Sequence, residues 1–144
     1  MSALEILIKL IKESEGCKLT AYQCPAGVWT IGYGYTGEDI KKGVCWTQKQ
    51  ADDALLASAM LVLAQAVKAS PLLADTNIEK LAAIGDFIYN LGIGNYNAST
   101  LKLRVNQSNW ASASTEIKKW DKAGGKVLKG LTARRLKEAT LLLR

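Results

Sequence analysis

The sequence has no histidine, only two prolines and one phenylalanine, and its three cysteines stand at positions 17, 24 and 45. Without histidine neither Ser-His-Asp nor Cys-His activation of a nucleophile is open to it, and cysteines at 17, 24 and 45 fit no zinc-ligand spacing. These gaps argue against a metal-dependent hydrolase, and no metal or other cofactor is expected. An odd cysteine count leaves at least one thiol free within the chain, which disfavours a complete disulfide framework. Long apolar runs are missing too. The longest uncharged stretch, Ala54 to Val67, contains Ser58 and Gln65 and falls short of the ~20 apolar residues that span a bilayer; it is expected to form a buried helix. The N-terminal apolar segment is broken by Glu5 and Lys9, so it lacks the uninterrupted core of a secretory signal, and the chain as given is expected to start in the cytoplasm.

What is present is enough for one core. At 144 residues and 49% hydrophobic, a single domain spanning 1–144 is expected. The formal net charge of +6 favours an anionic partner: nucleic acid, lipid headgroups or an acidic polysaccharide such as a cell wall. Nucleic acid has only this charge in its favour, because no recognition motif accompanies it.

Leu4, Leu7, Ile8 and Ile11 recur at helical spacing, which predicts an amphipathic helix over 2–14 ended by Gly16. Glu15 then lies at the helix C-terminal edge, where the dipole disfavours an anion. From Thr20 to Thr36 aromatic and β-branched residues alternate with Gly and Pro, as in a small antiparallel sheet. Cys24-Pro25-Ala26-Gly27 fits a type I turn, which puts Cys24 and Thr30 on the two arms of one hairpin. Gly32 and Gly34 leave the backbone bare, as suits a surface approached by a bulky ligand. Beyond the sheet the pattern reads as helical. Thr47 to Gln50 forms a capping box flanked by a Trp46–Ala51 staple and opens a helix to Ala69, stopped by Ser70-Pro71. Thr76 to Glu79 reads as a second box, opening a helix with the stripe Ile78, Leu81, Ala82, Gly85, Ile88 and Tyr89, closed by Gly92. Shorter helices are expected from Ser99, Asn109 and Thr132, joined by glycine-rich connections at Ala123-Gly124-Gly125 and Lys129-Gly130.

Glu13 to Gly34 concentrates two carboxylates, two thiols, three aromatic rings and four glycines. A glycosidase needs a carboxylic acid on one side of the scissile bond and a second group across it, and Glu15 with the hairpin could supply both. Read by themselves, Glu15 is an ordinary solvated charge, Cys24 a small semi-apolar turn residue and Thr30 a strand former.

The run Glu15-Gly16, Leu19, Ala21-Tyr22, Cys24, Gly27 and Trp29-Thr30-Ile31-Gly32-Tyr33-Gly34 resembles the signature of the phage-type lysozymes, or endolysins. Phe87 to Gly92, Ser99-Thr100-Leu101, Trp120 with Ala123-Gly124-Gly125, and Gly130-Leu131 with Arg134-Arg135 and Glu138 resemble further motifs of the family in order, the last two those of its lambdoid members. The resemblance implies an α+β fold, mostly helical, with a small antiparallel sheet lobe over about 17–46 forming one wall of the active-site cleft. It implies hydrolysis of the β-1,4 bond between N-acetylmuramic acid and N-acetylglucosamine in bacterial peptidoglycan, and host cell lysis. It also carries over a catalytic trio. Glu15 would be the general acid, Cys24 would orient or deprotonate water or attack as nucleophile, and Thr30 would hold that water. Most relatives have Asp at the Cys24 position, and this chain resembles the subset with Cys. A thiol with a reference pKa of ~8.5 would be mostly neutral at pH 7 and would repel a nearby Glu little.

Gly34, Asn90, Thr100 and Arg134 match positions that contact substrate or brace the groove in relatives. Arg134 or Arg135 could hold Glu15, or the stretch Leu131 to Arg144 could instead be a solvated basic face. Asp86 stands where relatives often have Ser, with no account from the sequence. Cys17 and Cys45 read as plain thiols rather than a regulatory pair. The chain is expected to be a monomer that waits in the host cytoplasm until another protein, such as a holin, opens the membrane. Two competing readings remain. One is a cationic protein perturbing membranes, in contact with the anionic outer membrane through its basic C-terminal helix; the other is an inactive peptidoglycan-binding module.

Overall fold

The computed structural model describes residues 1–144. Helix α1, Ala3–Ser14, begins where the Ser2 side chain accepts the Glu5 amide, and it buries Leu7, Leu10 and Ile11 on one face. The chain then turns into an antiparallel sheet ordered β1 (Lys18–Gln23), β2 (Trp29–Gly32) and β3 (Tyr35–Thr36). Backbone bonds from Trp46 to Leu19 and from Ala21 to Val44 lay residues 44–46 along the free edge of β1. Helix α2 (Gln48–Ala69), a 3₁₀ turn (Pro71–Ala74), and helices α3 (Ile78–Leu91), α4 (Ile93–Asn97), α5 (Thr100–Asn106) and α6 (Trp110–Ile117) follow. A two-stranded ribbon of β4 (Lys122–Ala123) and β5 (Lys126–Val127) leads into α7, Lys129–Leu142.

Two apolar clusters divide this α+β architecture. Twenty buried residues from the helices form the main core, against three in the sheet lobe, so the helices carry most of the hydrophobic stabilisation. The small cluster is Ala21, Ile31 and Ile40, closed by Trp29, Tyr35, Val44 and Trp46. Helix α3 threads the main core and is buried without interruption from Ala82 to Ile88. At Gly85 a Cβ would come within 3.1 Å of Leu7 and 3.0 Å of Leu63, so the absent side chain is what lets α1 and α2 close on α3.

The structure corrects several sequence expectations. The capping box at Thr47 is present, but the second start is one residue later than expected. Asn77 accepts the Lys80 amide, while the Thr76 hydroxyl donates back to the Leu73 carbonyl. Ile78, assigned to the buried stripe, is 38% exposed. The Ala54–Val67 stretch is buried on one face only, since Met60 and Leu61 are more than half exposed. Helix α7 opens at Lys129 rather than Thr132, and Gly124-Gly125 turns a short ribbon where only a connection was expected. Gly32 packs against the Trp46 ring and Ala51 rather than facing a ligand.

Phe87 is fully buried, meets Trp120 edge-on with centroids 5.5 Å apart, and lies beneath the Arg135 guanidinium. Replacing Phe87 by Ala is expected to cost roughly 3–5 kcal/mol, read as a lowered urea midpoint with an unchanged slope.

Candidate active site

Glu15 caps the C-terminus of α1 in extended conformation, its amide donating to the Ile11 carbonyl at 2.7 Å. Its side chain is 27% exposed, so the carboxylate is neither free in water nor sealed in the core. Arg134 Nη1 donates to Glu15 Oε1 at 2.8 Å. The other oxygen faces Gly34, whose φ of +82° and missing side chain leave space there; a Cβ would stand 3.2 Å from Oε2. Of the two arginines that could hold Glu15 it is Arg134 that reaches it, and Gly34, expected to line the sugar groove, lies against the Glu15 carboxylate.

Arg134 is not on a solvated face. It is 5% exposed, and its Nε and Nη2 donate to the two oxygens of Asp86 at 2.9 and 2.7 Å. This is the account of Asp86 that the sequence withheld: a buried carboxylate in the middle of an apolar helix, paired side-on with the arginine that reaches Glu15. Burial alone would lower the guanidinium's proton affinity, but Asp86 and then Glu15 hold it above the ordinary value. Asp86 is opposed by its own burial, yet hydrogen bonds from Arg134 and Glu138 and the charges of Arg134 and Arg135 keep it below the usual carboxylate range.

Arg135, fully buried, donates through Nη2 to Asn90 Oδ1 at 2.9 Å and to Glu138 Oε2 at 3.0 Å. Asn90 therefore braces the arginine rather than pointing to Glu15. Arg135 Nε and Glu138 Oε1 stand 2.7 Å apart, but neither atom makes an aligned hydrogen bond. Burial, then the hydrogen bond and charge of Asp86, push Glu138 well above the carboxylate range against the pull of Arg135 and Arg134. Arg135 and Glu138 thus form a close, fully buried pair whose nearest contact lies off the ideal hydrogen-bond line.

The β1–β2 hairpin carries Cys24 and Thr30. Cys24 and Val28 face each other, with the Cys24 amide donating to the Val28 carbonyl at 2.9 Å and the Gly27 amide closing the expected turn on the Cys24 carbonyl at 2.8 Å. Gly27 has a φ of +81°, the left-handed residue that such a three-residue loop needs. The backbone N–H groups of Val28 and then Ala26 draw the Cys24 pKa below that of a free thiol, against a raising contribution from burial. The expectation of an ordinary thiol is thus shifted toward the thiolate. Thr30 is 5% exposed and pairs with Tyr22 across the strands. Its hydroxyl donates to the Val28 carbonyl at 3.0 Å, which leaves its oxygen free as an acceptor.

Tyr89 was counted only as core. Its hydroxyl donates to the Tyr33 carbonyl and so ties α3 to the loop that carries Gly34. Burial and then the Glu15 charge raise its pKa. Thr100 is the exposed first residue of α5 and makes no contact with the Glu15 cluster. Cys17 and Cys45 are free thiols. No group of three or more acidic or cysteine side chains is arranged to hold a metal ion. A groove between α1, the start of α3 and α7, lined by Ile6, Leu10, Ile78 and Leu136, lies away from these residues.

A carboxylate held by a buried arginine at a helix end, with a small antiparallel sheet lobe set against a larger helical one, fits a lysozyme-like α+β fold. The chain belongs to the phage lysozyme family, whose model matches residues 12–138. It is 36% identical over 136 residues to the endolysin of Bacillus phage PZA, covering 93% of this chain and 52% of that protein. It therefore spans about half the length of that relative. It is 38% identical over 139 residues to an endolysin of Acyrthosiphon pisum secondary endosymbiont phage 1, covering 92% of this chain and 91% of that one. The solved endolysin of Escherichia coli O157:H7 phage FAHEc1 superposes with a TM-score of 0.85 at 32% identity, covering 99% of this chain and 94% of that one.

The protonated state of Glu138 is open to test. Its folded-state pKa is raised above the unfolded value of 4.5, so the stability it contributes is complete below that pH and is lost as pH rises toward the folded pKa. Gln keeps the shape without the charge. Glu138→Gln is expected to be at least as stable as the parent at neutral pH and to lose less stability between about pH 5 and 8, measured by urea midpoints. A loss of roughly 3–5 kcal/mol at neutral pH would instead mark an ionised partner of Arg135.

Proposed function

We propose that the chain hydrolyses the β-1,4 bond between N-acetylmuramic acid and N-acetylglucosamine in bacterial peptidoglycan, and that it serves host cell lysis. The observation that carries this reading is the placement of Glu15. One carboxylate oxygen is fixed by Arg134, and the other lies beside the bare backbone of Gly34, just after the strand that bears Thr30. In its protonated form Glu15 gives a proton to the leaving glycosidic oxygen as the bond to the anomeric carbon breaks. The Thr30 oxygen, its own proton committed to Val28, accepts a hydrogen from the incoming water and leaves a water lone pair directed at the sugar. Cys24, shifted toward thiolate by the turn amides, either takes the other proton of that water or attacks the carbon itself. Asn90 supports the cleft through Arg135, and Thr100 is assigned to the outer sugar groove on resemblance alone.

The rival reading, a cationic protein that perturbs the outer membrane through its C-terminal helix, loses its main charges. Arg134 and Arg135 are buried in ionic and hydrogen-bonded contacts, which leaves Lys129, Lys137 and Arg144 for any such surface. No helix is long and apolar enough to cross a membrane.

Release of reducing ends from purified peptidoglycan under reducing conditions tests the proposal. Glu15→Gln is expected to lose at least ~10²-fold in rate with its stability little changed. Equal release by parent and variant would remove Glu15 from the chemistry. In a Cys17→Ser, Cys45→Ser background, alkylating Cys24 is expected to block release, and the rate of alkylation should exceed that of a free thiol at the same pH. Full activity after complete alkylation would leave Thr30 and water to act without the thiol.

A further inference from the structure

Arg134 meets two carboxylates in different ways. Its side-on pair of donors, Nε and Nη2, is spent on Asp86, and only the single Nη1 remains for Glu15. A guanidinium gripped by two parallel hydrogen bonds has most of its charge compensated by that partner. The geometry is enforced from every side. From α7, Arg134, Arg135 and Glu138 face Asp86; from the end of α1, Glu15 reaches the same guanidinium; and α1 and α2 meet this stretch of α3 through the apolar Leu7 and Leu63 beside Gly85. Glu15 itself faces Arg134 from α7, Tyr89 from α3 and the bare backbone of Gly34.

We propose that Asp86 is a positioning residue of the glycosidase reaction: by occupying the side-on donors of Arg134 it limits that arginine to one contact with Glu15 and offsets its charge there, so that Glu15 can hold the proton it delivers. This rests on the general-acid role of Glu15. A free Arg134 beside Glu15 would favour the carboxylate, which cannot protonate a leaving oxygen. With Asp86 in place the arginine fixes the direction of the Glu15 side chain while acting on its proton more weakly. Glu138 and Arg135 complete the polar surroundings of Asp86.

The test compares kcat/KM on peptidoglycan against pH for the parent and for Asp86→Asn in the full chain. The alkaline limb, where Glu15 loses its proton, is expected to move down by about one pH unit. That is roughly tenfold less activity on that limb, with a much smaller loss on the acid side. A uniform loss at every pH, with the limb unmoved, would show a merely structural role and overturn the proposal. Carbon-13 titration of the Glu15 carboxyl in both proteins reads the same effect without activity. A shifted Glu15 titration with no matching shift in the activity limb would keep the Asp86 coupling and refute the general-acid reading. An unshifted titration would refute the coupling. Should Asp86→Asn fail to fold, the parent alone decides: Asp86 is expected to stay ionised between about pH 5 and 8, and its protonation within that window would overturn the proposal.

Discussion

Everything at the site hangs from one guanidinium. Arg134 links the end of α1 to the middle of α3 from a position on α7, through hydrogen bonds of 2.7 to 2.9 Å. Taking such charges out of water costs several kcal/mol per ion, and the attraction offsets this only when geometry and hydrogen bonds are good. Here the side-on pair with Asp86 meets that condition, and the Glu15 end stays partly in water. The arrangement contributes less to net stability than to direction, because three helices must arrive in fixed register before the contacts can form. Gly85 is where that register is set, by letting Leu7 and Leu63 close on α3 a single residue before Asp86.

The hairpin solves a different problem with backbone rather than side-chain charge. A type I turn followed by a left-handed Gly27 turns amide groups toward the Cys24 sulfur and holds Thr30 opposite. The lowering of the Cys24 pKa comes from neutral backbone dipoles rather than from a cation. The two walls are then tied at a few points. Tyr89 donates to the Tyr33 carbonyl, and Trp46 with Ala51 fills the space over Gly32 where β2 meets the start of α2. The small sheet has only three buried apolar residues of its own, so these ties to the larger core hold it in place.

Much of this was legible in order and type. The first helix, the hairpin turn, the Thr47 box and the Gly92 stop follow local rules of capping and periodicity, and the structure keeps them. What failed was anything decided by tertiary contact. Arg134 and Arg135 look like the polar face of a basic helix, because the sequence near them contains one acid, Glu138, and the other side-chain partners are 45 to 119 residues away. Asp86 gave the one usable signal. A lone acid inside Ile84-Gly85-Asp86-Phe87-Ile88 has no local partner, and a helix buried on all sides cannot leave it unpaired, so a cation had to be sought elsewhere in the chain. The short ribbon at 122–127 escaped because four residues are too few for an alternation pattern to show.

Glu15 and Glu138 show how one residue type is given two uses by placement. Both stand beside an arginine, and both lie within one side chain of Asp86. Glu138 is sealed, and desolvation together with the adjacent Asp86 pushes its pKa well above the carboxylate range. Glu15 is at a helix end open to solvent and takes a single hydrogen bond from Arg134, so substrate and water can reach it. That placement is what the shared arginine holds. An unshared Arg134 would tip Glu15 toward the carboxylate, and its absence would leave the side chain without a fixed direction.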